Sequence, residues 1–338
     1  DLFSLQNYPY IDGGMPIKRS AYVEWDENMK SLQDWDWWLS VVEKGAKGQW
    51  MPDYTYKAEA PRPKGLSDDS HSHWIERVET IKRKHNIPIN DTVFCSIGAP
   101  AHAKRVAKLV GADYLPRPQF KPHKYKMVYL IGFYPTIAID SVDVFNGCSK
   151  DCRRVVHWAG TDVWQLYNNV PYVAAKTLAK TLNSESIQLC EDNQNYKELK
   201  ELGFNAFNRP LPADFSHINP PPFPEKFTVA VYDTRLKSAN DNECLKLIDS
   251  CTRALPDVEF VYFGGEKAEK NKDANVERLG WLPIYEVIKQ SSMYLRFVRH
   301  DATSLSNIEF LCANRPVLTN WEMPYATILK EKEEGEFA

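Results

Sequence analysis

From residue 92 onward the chain alternates short apolar runs with amphipathic ones. Residues 92–97, Met127-Val128-Tyr129-Leu130-Ile131-Gly132, Arg153-Arg154-Val155-Val156-His157-Trp158 and residues 186–190 read as strands. Residues 101–110, 172–182 and 195–202 carry the helical period, and Gly203 closes the last of these. Asn219-Pro220-Pro221-Pro222-Phe223-Pro224 reads as a stiff linker. A second alternating run starts at Phe227-Thr228-Val229-Ala230-Val231-Tyr232 and continues to about residue 326. Strands alternating with helices imply parallel sheets. The expectation is therefore α/β, with two Rossmann-like domains on either side of a Pro-rich hinge and a cleft faced by His157 and Glu309. No internal repeat of solenoid spacing is visible.

The start of the chain has another pattern. Asp12-Gly13-Gly14-Met15-Pro16-Ile17 reads as a turn and a short strand. Gln33-Asp34-Trp35-Asp36-Trp37-Trp38-Leu39-Ser40-Val41-Val42-Glu43-Lys44-Gly45 reads as an amphipathic helix, with acids in its first turn and Gly after its end. Gln49-Trp50-Met51-Pro52 reads as a short strand. Asp68-Asp69-Ser70-His71-Ser72-His73 has metal-ligand residue types, but it also precedes an amphipathic run at 74–81 and serves equally as a solvated cap. The boundaries this implies are a segment 1–66, a helical linker 67–90, and domains 91–218 and 219–338.

Chemistry concentrates in Arg299-His300-Asp301-Ala302-Thr303-Ser304-Leu305-Ser306-Asn307-Ile308-Glu309. An apolar strand-like run, Met293-Tyr294-Leu295-Arg296-Phe297-Val298, precedes it and an apolar helical run follows. Ser304 or Ser306 can cap that helix, whose free N–H groups then face the loop. In an open α/β sheet such a loop lies at the carboxyl end of a strand, where ligands bind. An anion such as a diphosphate suits the helix start. Glu309, one turn inside, can accept bonds from sugar or ribose hydroxyls. The plain alternative is a surface helix with two solvated acids.

The stretch resembles the acidic-pair motif of glycosyltransferase family 4, enzymes of the GT-B type. That family has two acids eight apart, usually both Glu; here they are Asp301 and Glu309, followed by Ala313-Asn314-Arg315-Pro316-Val317-Leu318. Pro256-Asp257-Val258-Glu259-Phe260-Val261-Tyr262-Phe263-Gly264-Gly265 and Val276-Glu277-Arg278-Leu279-Gly280-Trp281-Leu282 extend the similarity, which covers roughly residues 92–326. His157-Trp158-Ala159-Gly160-Thr161-Asp162 resembles the His–Gly–x–Asp region on the acceptor side of such enzymes.

The resemblance implies transfer of a sugar from a nucleotide-sugar donor to an acceptor hydroxyl, with retention and no required cofactor. Its site residues would be His157, Asp301 and Asp162 as catalytic groups, with Gly160 and Thr161 on the acceptor side. Glu309, Arg235, Lys237, Gly264, Arg299 and Ser304 would bind the donor, the two cations at 235 and 237 gripping the diphosphate. The acceptor would be a glycan, a lipid-linked or a protein hydroxyl. A non-catalytic carbohydrate-binding or assembly module derived from such an enzyme is the alternative, since Asp stands in place of the first Glu.

Residues 1–86 resemble the last part of a family 2 glycosyltransferase domain of the GT-A type, with Asp34 at the place of the catalytic base. The metal-binding Asp-x-Asp half of that family has no counterpart in this sequence. A divalent cation, Mg or Mn, would be called for only with a complete GT-A domain upstream. No metal site is therefore expected in this chain.

Composition narrows the partners. The 338 residues carry 43% hydrophobic and 12% aromatic residues, enough for large buried cores. Net charge is −3 with both signs dispersed, which argues against a nucleic-acid partner held by phosphate contacts. No apolar run approaches the roughly 18–20 residues that span a bilayer, although peripheral membrane contact is compatible with the chain. An odd number of cysteines, seven, several within apolar runs, reads as free thiols in a reducing, cytoplasmic setting. Cys148-Ser149-Lys150-Asp151-Cys152 lacks the second ligand pair of a zinc site.

Overall fold

The structure, a computed structural model, describes residues 5–6, 15–29, 32–48, 74–96, 98–115, 125–134, 144–233, 242–265, 275–323 and 325–329. The chain divides into two compact units. One comprises Asp1–Cys190 with Lys197–Phe207, the other Glu191–Tyr196 with Asn208–Ala338. The expected boundary at 218–219 falls inside the second unit, and the expected segment 1–66 and linker 67–90 belong to the first.

The first sheet has six strands: β1 (Thr92–Ser96), β2 (Asp113–Leu115), β3 (Met127–Ile131), β4 (Arg153–Trp158), β5 (Ile187–Cys190) and β6 (Ala206–Asn208). Their order is β2-β1-β3-β4-β5-β6. Neighbours from β2 to β5 pair in parallel. Strands buried on both faces need continuous apolar runs, and Val93, Phe94, Cys95, Val128, Leu130, Val155, Val156 and Trp158 supply them. Helices return the chain between parallel strands: α3 (Pro100–Val110), α5 (Tyr172–Glu185) and α6 (Asn193–Glu201), with α4 (Thr161–Asn169) just after β4. Pro100 sits at the first helical position of α3 and Gly111, at φ 69°, ends it.

The second sheet is also parallel and six-stranded: β7 (Thr228–Tyr232), β8 (Glu259–Phe263), β9 (Val276–Gly280), β10 (Met293–Arg296), β11 (Val317–Thr319) and β12 (Thr327–Ile328). Its order is β12-β11-β10-β7-β8-β9. Helices α7 (Asn242–Ala254), α8 (Ile284–Lys289) and α9 (Leu305–Cys312) connect the strands. Two doubly wound α/β units are thus present, as expected. In each, the strand order reverses beside the first strand, at β1/β3 and at β7/β10. Ligands of open α/β sheets bind outside the carboxyl ends of the strands at such switch points.

The first unit also holds α1 (Gln33–Glu43) and α2 (Trp74–Lys84). Trp35, Trp37, Leu39 and Val41 of α1 share a core with Val78 and Ile81 of α2 and with Ile87. Asp36 of α1 accepts from Lys84 Nζ at 2.8 Å and pairs with His85 Nε2 at 2.9 Å. His85 Nδ1 lies 2.8 Å from Glu43, so the residue after α2 clasps both ends of α1. On its other side, Lys82 donates to Asp113 of β2 at 2.7 Å, both side chains being buried. The stretch read as a helical linker is therefore, from 74 on, a packed strut between α1 and the sheet. The expected strand at 49–52 and the acidic–histidine run at 68–73 lie outside the described residues.

The Pro-rich segment is also fastened. Arg315, 1% exposed, donates to the carbonyls of Ser291 at 2.6 Å, Pro221 at 3.0 Å and Pro222 at 2.7 Å. Its guanidinium lies 4.1 Å from the centre of the Phe223 ring. The segment read from sequence as a stiff linker and Pro-rich hinge is bound, over Pro221–Phe223, within the second unit.

Candidate functional site

In the first unit the expected acceptor-side residues gather at the end of β4. His157 is the fifth residue of that strand, inside the sheet rather than on the loop after it, and is 1% exposed. Its Nδ1 lies 2.7 Å from the Tyr129 hydroxyl on β3, and Tyr129 stacks on Phe94 with ring centres 4.6 Å apart. Among the described residues its Nε2 has no hydrogen-bond partner. Burial lowers its pKa to about 3, so the ring is neutral at physiological pH. A neutral imidazole fixed on one nitrogen by Tyr129 can make one further hydrogen bond through the other.

Gly160 follows at φ 98° and ψ −74°, a conformation that a side chain strongly disfavours, and it starts α4. Thr161 is exposed in the first turn of α4. Asp162, fully buried, accepts three backbone N–H groups: Phe133 at 2.8 Å, Ala159 at 2.9 Å and Val163 at 2.9 Å. It thereby ties the loop after β3 to the loop after β4. Burial pushes its pKa up to about 6, against the lowering effect of those N–H donors. With its oxygens engaged this way, Asp162 holds the two loops together.

In the second unit the described site candidates follow the carboxyl ends of β8 and β10. Asp301 is held by Arg296, the last residue of β10, in a two-bond clasp: Nε to Oδ2 at 2.6 Å and Nη2 to Oδ1 at 3.1 Å. Both side chains are 12% exposed. The Arg296 guanidinium lies 5.1 Å from the centre of the Tyr232 ring at the end of β7, on the switch point. Burial opposes the charge on Arg296 most strongly of any single effect, but Asp301 and the Tyr294 hydroxyl together outweigh it and raise its pKa.

The loop from 297 to 304 is tied down on several sides. Asn195 Nδ2 donates to the Asp301 carbonyl at 3.1 Å, and Thr303 Oγ1 to the Glu191 carbonyl at 3.0 Å. Asn320 exchanges two bonds with the backbone of Val298. Asn195, fully buried, and Asn307, 1% exposed, each keep an amide oxygen with no partner among the described residues.

Ser304 occupies the N-cap position of α9 in extended conformation, but its hydroxyl lies 3.0 Å from Ser306 Oγ and makes no cap bond. Ser306 in turn lies 3.1 Å from the Tyr294 hydroxyl. The expected side-chain cap is therefore replaced by a hydroxyl chain. A helix start without a side-chain acceptor suits an anion. Glu309 is in the second turn of α9 and 8% exposed, not a solvated surface acid. Arg299 is exposed. Arg235 and Lys237 lie outside the described residues.

Gly264, at φ 88°, has a physical reason of its own. A Cβ there would stand 2.3 Å from Cε2 of Tyr232, so the glycine makes room for that ring. Gly265 does the same for Asp233, whose carboxylate pairs with Arg278 Nη1 at 2.8 Å. Asp34 is exposed in the first turn of α1, whereas its neighbour Asp36 is the buried acid of that helix. Among the described residues no group of three or more His, Cys, Asp or Glu side chains is placed to hold a metal ion. The seven cysteines are free thiols, and burial raises the Cys148 pKa to about 12.

Several residues of the two sites were not singled out from sequence: Tyr129, Tyr232, Asn195 and Arg296. Arg296 had a signal. A lone cation inside an apolar strand run calls for a buried partner.

No family model and no curated protein matches the sequence. Solved structures with some likeness include TarM, at 14% identity over 67% of this chain and 45% of that one, with a TM-score of 0.46. A pneumococcal O-GlcNAc transferase, GtfA, in complex with UDP and GlcNAc matches at 12% identity over 69% of this chain and 50% of that one, TM-score 0.44. Sucrose-phosphate synthase from Thermosynechococcus elongatus matches at 10% identity over 61% and 62%, TM-score 0.44. The chain thus spans about half the length of the first two. Likeness at this level is one of α/β architecture.

Among the described residues no helix is long and apolar enough to cross a membrane.

Proposed function

We propose that this chain takes part in glycosyl transfer, moving a sugar from a nucleotide sugar to an acceptor hydroxyl. The observation that carries the reading is the β10–α9 connection. A loop at the switch point leads into a helix start lined by Ser304, Ser306 and the Tyr294 hydroxyl, with the carboxylate-bearing Glu309 buried one turn further on. A diphosphate suits the helix start and ribose hydroxyls suit Glu309.

In this reading the second unit binds the donor, through Glu309, Ser304, Arg299, Gly264 and the cations Arg235 and Lys237. The first unit serves the acceptor, with His157, Gly160 and Thr161 beside it and Asp162 holding their loops. Transfer proceeds with retention and without a metal, the protein supplying position and electrostatic stabilisation of the leaving diphosphate. The acceptor is a glycan, lipid-linked or protein hydroxyl, and the setting is the cytoplasm.

One observation favours a second reading, a non-catalytic sugar-binding or assembly module. Both oxygens of Asp301 are taken by Arg296, which leaves that acid less able to reach a donor sugar.

A thermal-shift panel of nucleotide sugars tests the first reading. A ligand at a hundred times its Kd adds about 2.7 kcal/mol of stability, an easily read shift. Stabilisation by one nucleoside diphosphate and its sugar conjugate, with transfer to a glycan acceptor, is expected. Stabilisation without turnover selects the module. No stabilisation by any member overturns the first reading and favours a module that works without a nucleotide-sugar donor.

A further inference from the structure

The acid at 301 is a short one, and the structure gives it a partner that the sequence motif does not contain. Arg296 reaches both carboxylate oxygens, at 2.6 and 3.1 Å, and each side chain is 12% exposed. The pair sits beside Tyr232 at the switch point of the second sheet and a few residues before the uncapped start of α9. Its geometry is prearranged. Asn195 fixes the Asp301 backbone, and among the described residues the third guanidinium nitrogen, Nη1, makes only a long 3.4 Å contact to the Tyr294 hydroxyl.

An unpaired carboxylate at this place would repel a diphosphate arriving at the helix start. Charge–charge effects are strong where water is partly excluded. Resting on the donor-site reading above, we propose that Arg296 is a positioning residue for the donor's diphosphate. It neutralises Asp301, so that this acid adds no net negative charge beside the helix start, and it keeps one guanidinium nitrogen directed away from the carboxylate clasp.

This differs from a loop clamp in what it predicts. A clamp matters equally for every ligand of the unit. A counter-ion matters for the phosphates and not for the nucleoside. Calorimetric titration of the full chain with UDP, GDP and ADP, and with uridine, guanosine and adenosine, separates the two. Arg296→Met, which leaves Asp301 charged and alone, should lower affinity for the bound diphosphate by about tenfold or more and change nucleoside affinity by less than about twofold. Arg296→Met combined with Asp301→Asn removes both charges and should restore diphosphate affinity to within about threefold of the unmodified chain.

Asp301→Asn alone leaves the cation free and should hold or tighten diphosphate binding. If Arg296→Met does not fold, the Asp301→Asn and double variants decide. A double variant with diphosphate affinity down tenfold, or Asp301→Asn weakening the diphosphate, overturns the proposal. So do equal losses for diphosphate and nucleoside. If the unmodified chain binds none of the three diphosphates, the donor reading falls and this inference with it. If it binds one and the variants are flat, this inference alone falls.

Discussion

Arg315 shows how much one buried side chain can organise. Its charge is met by backbone carbonyls of Ser291, Pro221 and Pro222 and by the face of Phe223, with no acid among these contacts. Removing it would strand those carbonyls, each a costly loss in a buried place. Arg315→Ala is expected to destabilise the second unit by on the order of 3 kcal/mol, read as lost amide-exchange protection in β10 and β11. A change within about 0.5 kcal/mol, the usual range for a surface site, would show that the Pro-rich segment is held by other means. Glu309 is the matching functional case. Glu309→Ala should weaken nucleoside diphosphate binding roughly ten- to a hundredfold, the worth of a charge-assisted bond to ribose. Asp301→Asn should do far less, because its carboxylate already serves Arg296. Equal, unchanged affinities in titrations of both folded variants would reduce the motif to a helix start.

The element that carries the proposed acceptor-side residues is β4 with the turn into α4, and its two titrating groups act in opposite senses. His157 has a folded pKa lowered to about 3 from 6.5. The unfolded chain therefore binds a proton first as pH falls, and stability is lost between about 6.5 and 3. Asp162 has a folded pKa raised to about 6 from 3.8. Its contribution is present below about 3.8 and is lost as pH rises through about 6. Each proton is worth up to about 1.4 kcal/mol per pH unit. His157→Gln should therefore flatten the acid side of the stability profile, measured as the urea midpoint against pH. An unchanged slope below pH 6.5 would place His157 in contact with water and remove the reason for its low pKa. The strand itself was readable from its apolar run. That His157 lies within it, bonded to Tyr129 on the neighbouring strand, depends on register and was not.

At the scale of the molecule, the opening segment behaves as part of the first unit. Trp35, Trp37 and Trp38 share a core with α2, and Asp36 is bonded to Lys84 and His85. Deleting residues 1–66 would uncover the apolar face of α2 and leave Lys84 and His85 without Asp36. The truncated chain should melt at lower temperature, yet keep nucleoside diphosphate binding, since the proposed donor residues belong to the second unit. Loss of binding by a truncated chain whose second unit remains folded would assign the opening segment a role in the donor site.

The sequence by itself determined the alternation of strands and helices, the two α/β units and the strand–loop–helix order around Asp301 and Glu309. Those features are local: apolar periodicity, helix signals and chain order need no partner from afar. Short strands such as Asp113–Leu115 and Thr327–Ile328 were missed because two or three residues carry no period. The roles of charged and polar side chains were decided only by tertiary structure. Arg296 and Asp301 are five residues apart, but Tyr232 beside them and Asn195 beneath the loop come from far along the chain. Asp162 as a staple, Gly264 as space for Tyr232 and Arg315 as an anchor for Pro221–Phe223 follow the same rule. A buried polar group takes its meaning from whatever folding brings within 3 Å of it, and a sequence pattern does not contain that distance.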